Sequence, residues 1–164
     1  MDPSEYLDLV AERLASGGAT VTTEQIGPII ALVGYRARFR MRWMASTLHL
    51  FTVVVPAPWT VTAAALERFG NDAIDFADSR KGALRGFQSG VAAIPVLVGP
   101  DIQPDAKEYA QTQILRRYAA FAWPAVVDLT ERRVYRHEGR VAIGAVFSGY
   151  LRAQTALALP EPPG

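Results

Sequence analysis

Apolar residues first recur at four-residue spacing: Tyr6, Val10 and Leu14 follow Asp2-Pro3-Ser4-Glu5, and Gly17-Gly18 ends the run. A capping aspartate, a proline at the first helical position and a glutamate three residues after the cap all mark a helix start, so a short amphipathic helix is predicted. From Ile29 to Arg42 the period changes to two. Arg36, Arg38, Arg40 and Arg42 alternate with Ala37, Phe39 and Met41, which predicts a strand with one wet, basic face. The next strand, Leu48 to Pro56, is almost wholly apolar, as expected of a central strand covered on both faces. The two should pair antiparallel.

Thr60 or Thr62 can cap a following helix. Ala65, Leu66, Phe69, Ala73, Ile74 and Ala77 share one side of it, and Glu67, Arg68, Asp72, Asp75 and Asp78 the other. A glycine-rich loop, Arg80 to Gly90, leads into a second apolar strand, Val91 to Val98, which the helical crossover should set parallel to the first. Pro104 opens another helix, expected to run to Ala119 with Tyr109, Ile114, Leu115 and Tyr118 inward. Phe121 to Leu129 reads as a third buried strand, also parallel. Thr130-Glu131-Arg132 then turns into a charged edge strand, Arg133 to His137. A last helix spans Ile143 to Leu159, with Val146, Phe147, Tyr150, Leu151 and Leu157 apolar, and Pro160-Glu-Pro-Pro-Gly is expected to trail as a disordered tail. No internal repeat is visible. The expected fold class is α/β (or α+β), one domain over 1–159 with a Pro-rich tail at 160–164. Its mixed sheet should hold about five strands, with a parallel centre, an antiparallel hairpin at each end and helices packed on the sheet.

Composition narrows this little. Half of the 164 residues are apolar, enough for one continuous core. Seventeen basic residues against sixteen acidic ones leave a net charge of +1, which names no partner. Only Lys81 and Lys107 are lysines, so nearly all the positive charge is guanidinium. The absence of cysteine removes disulfides, thiolate metal sites and cysteine nucleophiles, and fits a reducing, cytoplasmic setting. The acidic N-terminus does not read as a secretory signal. The apolar run at Leu48 to Val55 is too short to cross a bilayer as a helix, so no membrane association is expected.

The candidate chemistry is anionic recognition. Arg80, Lys81 and Arg85 sit among Gly82, Gly86 and Gly90, with Gln88 and Ser89 beside them. Glycines let backbone N–H groups turn toward an anion, and arginine adds paired donors. Familiar phosphate loops run from strand into helix, however, whereas this one does the reverse and matches neither GxxxxGK[ST] nor GxGxxG. Cations near a helix C-terminus explain the same residues without a ligand. Gly86-Phe87-Gln88-Ser89-Gly90 departs by one residue from the spacing of a nucleophile elbow. The arginines at 36, 38 and 40 form a second anion-binding candidate, although the strand period puts Tyr35 and Phe39 on the opposite face, and an edge strand guarded by charge would look the same.

His49, in an apolar strand, is expected to be a hydrogen-bonded core histidine, and His137 to be solvated. Neither belongs to a metal motif, and no metal or cofactor is expected. Asp72, Asp75 and Asp78 recur every third residue and read as a solvated acidic face. Asp128 followed by Glu131-Arg132-Arg133 approaches a nuclease pattern but lacks its lysine. The sequence therefore leads to a non-catalytic binding domain whose arginines hold an acidic protein, a nucleic acid or a phosphorylated ligand, with a homodimer left open. The alternative is a metal-dependent hydrolase or nuclease acting on a phosphate ester, with its carboxylates among Asp72, Asp75, Asp78, Asp128 and Glu131. A subunit of a larger assembly is a third class.

Overall fold

A computed structural model describes residues 1–41, 46–81, 89–117, 120–139 and 145–164. Helix α1 (Pro3–Ser16) starts at the predicted capping box, where Asp2 accepts from the amides of Ser4 and Glu5 and Glu5 accepts from Asp2 in return. After it come β1 (Thr20–Ile26), β2 (Ile29–Arg40), β3 (Ser46–Pro56), α2 (Ala63–Lys81), β4 (Ser89–Gly99) and α3 (Pro104–Thr112). Short strands β5 (Leu115–Arg117), β6 (Ala120–Ala122), β7 (Ala125–Asp128) and β8 (Arg133–Arg136) precede α4 (Ala145–Ala158). Of the two candidate caps for α2, Thr62 is the one used: its hydroxyl accepts from Ala65 N at 3.2 Å, while Thr60 donates to Asp101.

The sheet is mixed and has eight strands rather than about five. β1, β2 and β3 form an antiparallel meander, and β4 lies parallel to β3. On its far side β4 pairs in parallel first with β6, along Val91–Ala93, and then with β7, along Val96–Gly99. β5 and β8 close that side as antiparallel partners of β6 and β7. The extra strands have three local causes. Thr20-Val21-Thr22-Thr23 is a β-branched run that folds onto β2 through Gly27, which adopts φ +55, and Pro28. As a result β2 is an interior strand, not the edge expected. The helix predicted to reach Ala119 ends at Thr112, because Gln113 turns extended and Leu115–Arg117 find strand partners. Of its proposed inward residues, Tyr109, Ile114 and Leu115 are partly buried against the core; Tyr118 lies outside the described residues.

The third cause is proline. Pro124 splits the expected strand Phe121 to Leu129 in two, and opposite the split β4 carries Pro95. Trp123 N donates to Ala93 O at 2.8 Å and Leu129 N to Gly99 O at 3.0 Å, so odd-numbered residues of β4 point their polar groups to this side. The donor missing from Pro95 is therefore missing only where the ladder is interrupted, and pairing with β3 is untouched.

Helices cover both faces. α2 and α3 pack on Val53, Val55, Ala93 and Leu97, and α1 and α4 pack on Leu48, Leu50, Ile94 and Val96. The tail expected to be disordered is docked: the Tyr6 hydroxyl donates to Pro160 O at 2.7 Å, and Glu161 accepts from Val134 N at 2.8 Å. No helix among the described residues is long and apolar enough to cross a membrane.

Close approach at the end of β4 gives a stability test. A Cβ on Gly99 would lie 2.4 Å from the Ala57 carbonyl oxygen, whereas one on exposed Gly149 in α4 meets nothing within 4 Å. In urea unfolding, Gly99→Ala should cost about 1–3 kcal/mol, and Gly149→Ala should gain roughly 0.5–1 kcal/mol.

Candidate functional site

Arg36, Arg38 and Arg40 lie on the opposite face of the sheet from Arg80. Arg36, Arg38 and Arg40 project toward α4. Arg36 is half-buried and donates to Gln154, and the Arg40 guanidinium stands 5.5 Å from the Tyr150 ring centre. Arg38 is exposed, with no ion pair among the described residues. The face read as wet is thus largely spent on helix packing. Tyr35 and Phe39 do point the other way, as the strand period requires; Phe39 is exposed and Tyr35 is not. Lys81 ends α2 and Ser89 begins β4. Arg85 and Gln88 lie outside the described residues.

Arg80 is different. It sits in the last turn of α2, where that helix leaves the sheet, and faces a cavity of about 270 Å³ that sequence reasoning missed. Inward-pointing side chains of the meander and the helix build the walls: Val33 and Tyr35 from β2, Phe51 from β3 and Phe76 from α2. Thr20, Thr22 and Glu24 of β1, with Arg80, form the rim. Period two on β1 puts all three of its residues on this face. The rings are mutually braced, with Tyr35 and Phe51 centres 4.9 Å apart and Phe51 edge-on to Phe76 at 5.9 Å. Only the β1 strand itself, unrecognised in the sequence, was needed to see this arrangement.

Across the rim Arg80 Nη2 meets Glu24 Oε2 at 2.7 Å, and the Thr22 hydroxyl donates to the other Glu24 oxygen at 3.2 Å. The guanidinium also lies 4.9 Å from the Phe76 ring centre. Half of the Arg80 side chain and a quarter of the Glu24 side chain remain accessible, so the pair is worth only about 0–1 kcal/mol and opens readily. Next to the cavity, Tyr35 Oη and His49 Nδ1 share a hydrogen bond of 2.9 Å, and burial pushes the Tyr35 phenol up. His49 is buried and bonded, as expected. His137 departs from expectation: it packs edge-on against Trp123, with burial and then Arg152 holding its imidazole below the ordinary histidine range.

The carboxylates of the hydrolase alternative do not converge. Asp72 lies beside Gly27, Asp75 pairs with Arg117, and Asp78 is exposed. Asp128 and Glu131 do come together at the other end of the sheet, and Lys107 from α3 supplies the lysine their sequence neighbourhood lacks, with Nζ 2.8 Å from each. Yet every oxygen there is occupied. The second Asp128 oxygen accepts from the amides of Thr130 and Glu131, and the second Glu131 oxygen accepts from the Tyr135 hydroxyl. The cluster is a clamp between α3 and the β7–β8 turn. Among the described residues no three His, Cys, Asp or Glu side chains are grouped to hold a metal ion. No protein-family profile, curated protein or solved structure matches this chain.

Removing the ammonium from the clamp would leave Asp128, only 4% exposed in its side chain, without its counter-charge. Lys107→Met should cost about 3 kcal/mol in chemical unfolding, the low end for a broken buried pair, because two amides still serve the carboxylate. Hydrogen bonds from Lys107 and then Tyr135 hold Glu131 below the ordinary glutamate value. Its contribution is complete above that ordinary value and lost as pH falls through the lowered one. Glu131→Gln should therefore flatten the acid limb of the stability profile measured by denaturation between neutral and strongly acidic pH.

Proposed function

We propose that this protein is a non-catalytic binding domain that takes a small ligand with an apolar body and an anionic group in the cavity between the β1–β3 meander and α2. The observation that carries this reading is Arg80. It is a half-exposed guanidinium, held by one weak surface pair, at the rim of a pocket walled by aromatic rings. The cavity, at about 270 Å³, falls just below the roughly 300–1,000 Å³ of ligand pockets, which favours a small molecule over a polymer. The packing of Arg36 and Arg40 against α4 takes up two of the three arginines described in the basic strip that a nucleic acid or an acidic protein would need, Arg42 lying outside the described residues. The occupied oxygens of the Lys107 clamp weigh against the hydrolase alternative, since each already accepts a hydrogen bond that a metal would have to displace.

Thermal melting with 3-phenylpropionate and phenyl phosphate at two salt concentrations tests the reading. A bound ligand at about a hundred times its Kd stabilises by roughly 2.7 kcal/mol. Both probes should raise the melting temperature, less at high salt, and Arg80→Gln should abolish the shift while Arg38→Gln leaves it intact. Equal loss in the two variants would move the anion site to the sheet's other face; no shift with either probe would remove the cavity as an anion site.

A further inference from the structure

The geometry points to a zwitterion, an aromatic α-amino acid carrying both its ammonium and its carboxylate, as the ligand class of this cavity. The inference rests on the reading of the cavity as a small-ligand site and narrows it by the second charge at the rim. Arg80 is not alone there: Glu24 touches it at 2.7 Å, and these two are the only charged residues lining the cavity among the described residues. A ligand bearing only a carboxylate, whether it used the donors Glu24 leaves free or displaced it, would set two carboxylates on one guanidinium. A ligand bearing only an amine would set two cations on the one carboxylate. A zwitterion opens the pair and remakes both halves, its carboxylate on the guanidinium fork and its ammonium on Glu24, so that no charge is left without a partner.

The walls define the rest of the molecule. Tyr35, Phe51 and Phe76 present ring faces and edges at mutual spacings of 4.9 and 5.9 Å, an environment in which an incoming ring finds tilted and edge-to-face partners. Thr22, whose hydroxyl already donates to Glu24, suits the polar end of such a ligand, and Thr20 faces Tyr35 across the β1–β2 register.

Titration calorimetry on the full chain separates the possibilities with four probes: L-phenylalanine, 3-phenylpropionate lacking the ammonium, phenethylamine lacking the carboxylate, and L-alanine lacking the ring. L-Phenylalanine should bind at least ten-fold more tightly than any of the other three. Glu24→Gln should weaken L-phenylalanine at least ten-fold and leave 3-phenylpropionate unchanged or tighter. Thr22→Trp, at an exposed position on the rim, should block every probe. Wild-type melting temperatures in the two variants would show that folding is intact. If 3-phenylpropionate matches or exceeds L-phenylalanine, the zwitterion inference fails while the anion-binding cavity stands. If none of the probes binds, both fail.

Discussion

The fold hangs on β4. Both of its faces are covered, since Val91, Ala93 and Leu97 lie under one pair of helices and Ala92, Ile94, Val96 and Val98 under the other. Residues 91–99 are all buried, so their amides and carbonyls must be met by neighbouring strands. β3 provides one ladder without interruption, and β6 with β7 provide the second. The single residue that has no amide to offer, Pro95, coincides with the gap at Trp123-Pro124. Two prolines that would each damage a continuous sheet are tolerated because they share one defect.

That arrangement also decides where a cavity can exist. Both parallel steps, β3 to β4 and β4 to β7, advance across the sheet in the same direction, and both intervening helices lie on the same face. No reversal of strand order opens the crevice that usually holds ligands in open parallel sheets. α2 and α3 spend their apolar surfaces on the centre and the β6–β7 side. The twisted meander of β1 and β2 projects beyond the C-terminal half of α2, and the gap left between them is lined by the inward residues of Val33, Tyr35 and Phe51. The site is thus a consequence of too few helices for the width of the sheet.

How much of this was readable in the sequence follows from where signals are local. The capping box of α1, the two apolar strands β3 and β4 and the amphipathic helix α2 are all announced by residues within the element itself. β1 was missed because Thr20–Ile26 is mostly polar and gains its meaning only by pairing with β2. The end of α3 was misplaced because Leu115–Arg117 has no helix breaker, and tertiary pairing with β6 overrides its propensity. Arg80 was legible as a candidate from the cluster of cations and glycines it opens, but the cavity was not, since three of its eight lining residues come from the unseen strand. Arginine at positions 36 and 40 misled for a related reason: alternation reveals that residues share a face, not which element covers that face.

The two charged constellations make the functional contrast physical. At one end of the sheet Lys107, Asp128 and Glu131 satisfy one another completely, with amides and a tyrosine filling the remaining oxygens, so any ligand must displace several good hydrogen bonds at once. At the cavity, Glu24 and Arg80 meet through a single oxygen and a single nitrogen and are partly wet. The guanidinium there retains donors it is not using, and the apolar walls beneath it return free energy when covered. Binding requires a charge that can be given up cheaply next to a surface that gains by being buried, and only the second constellation has both.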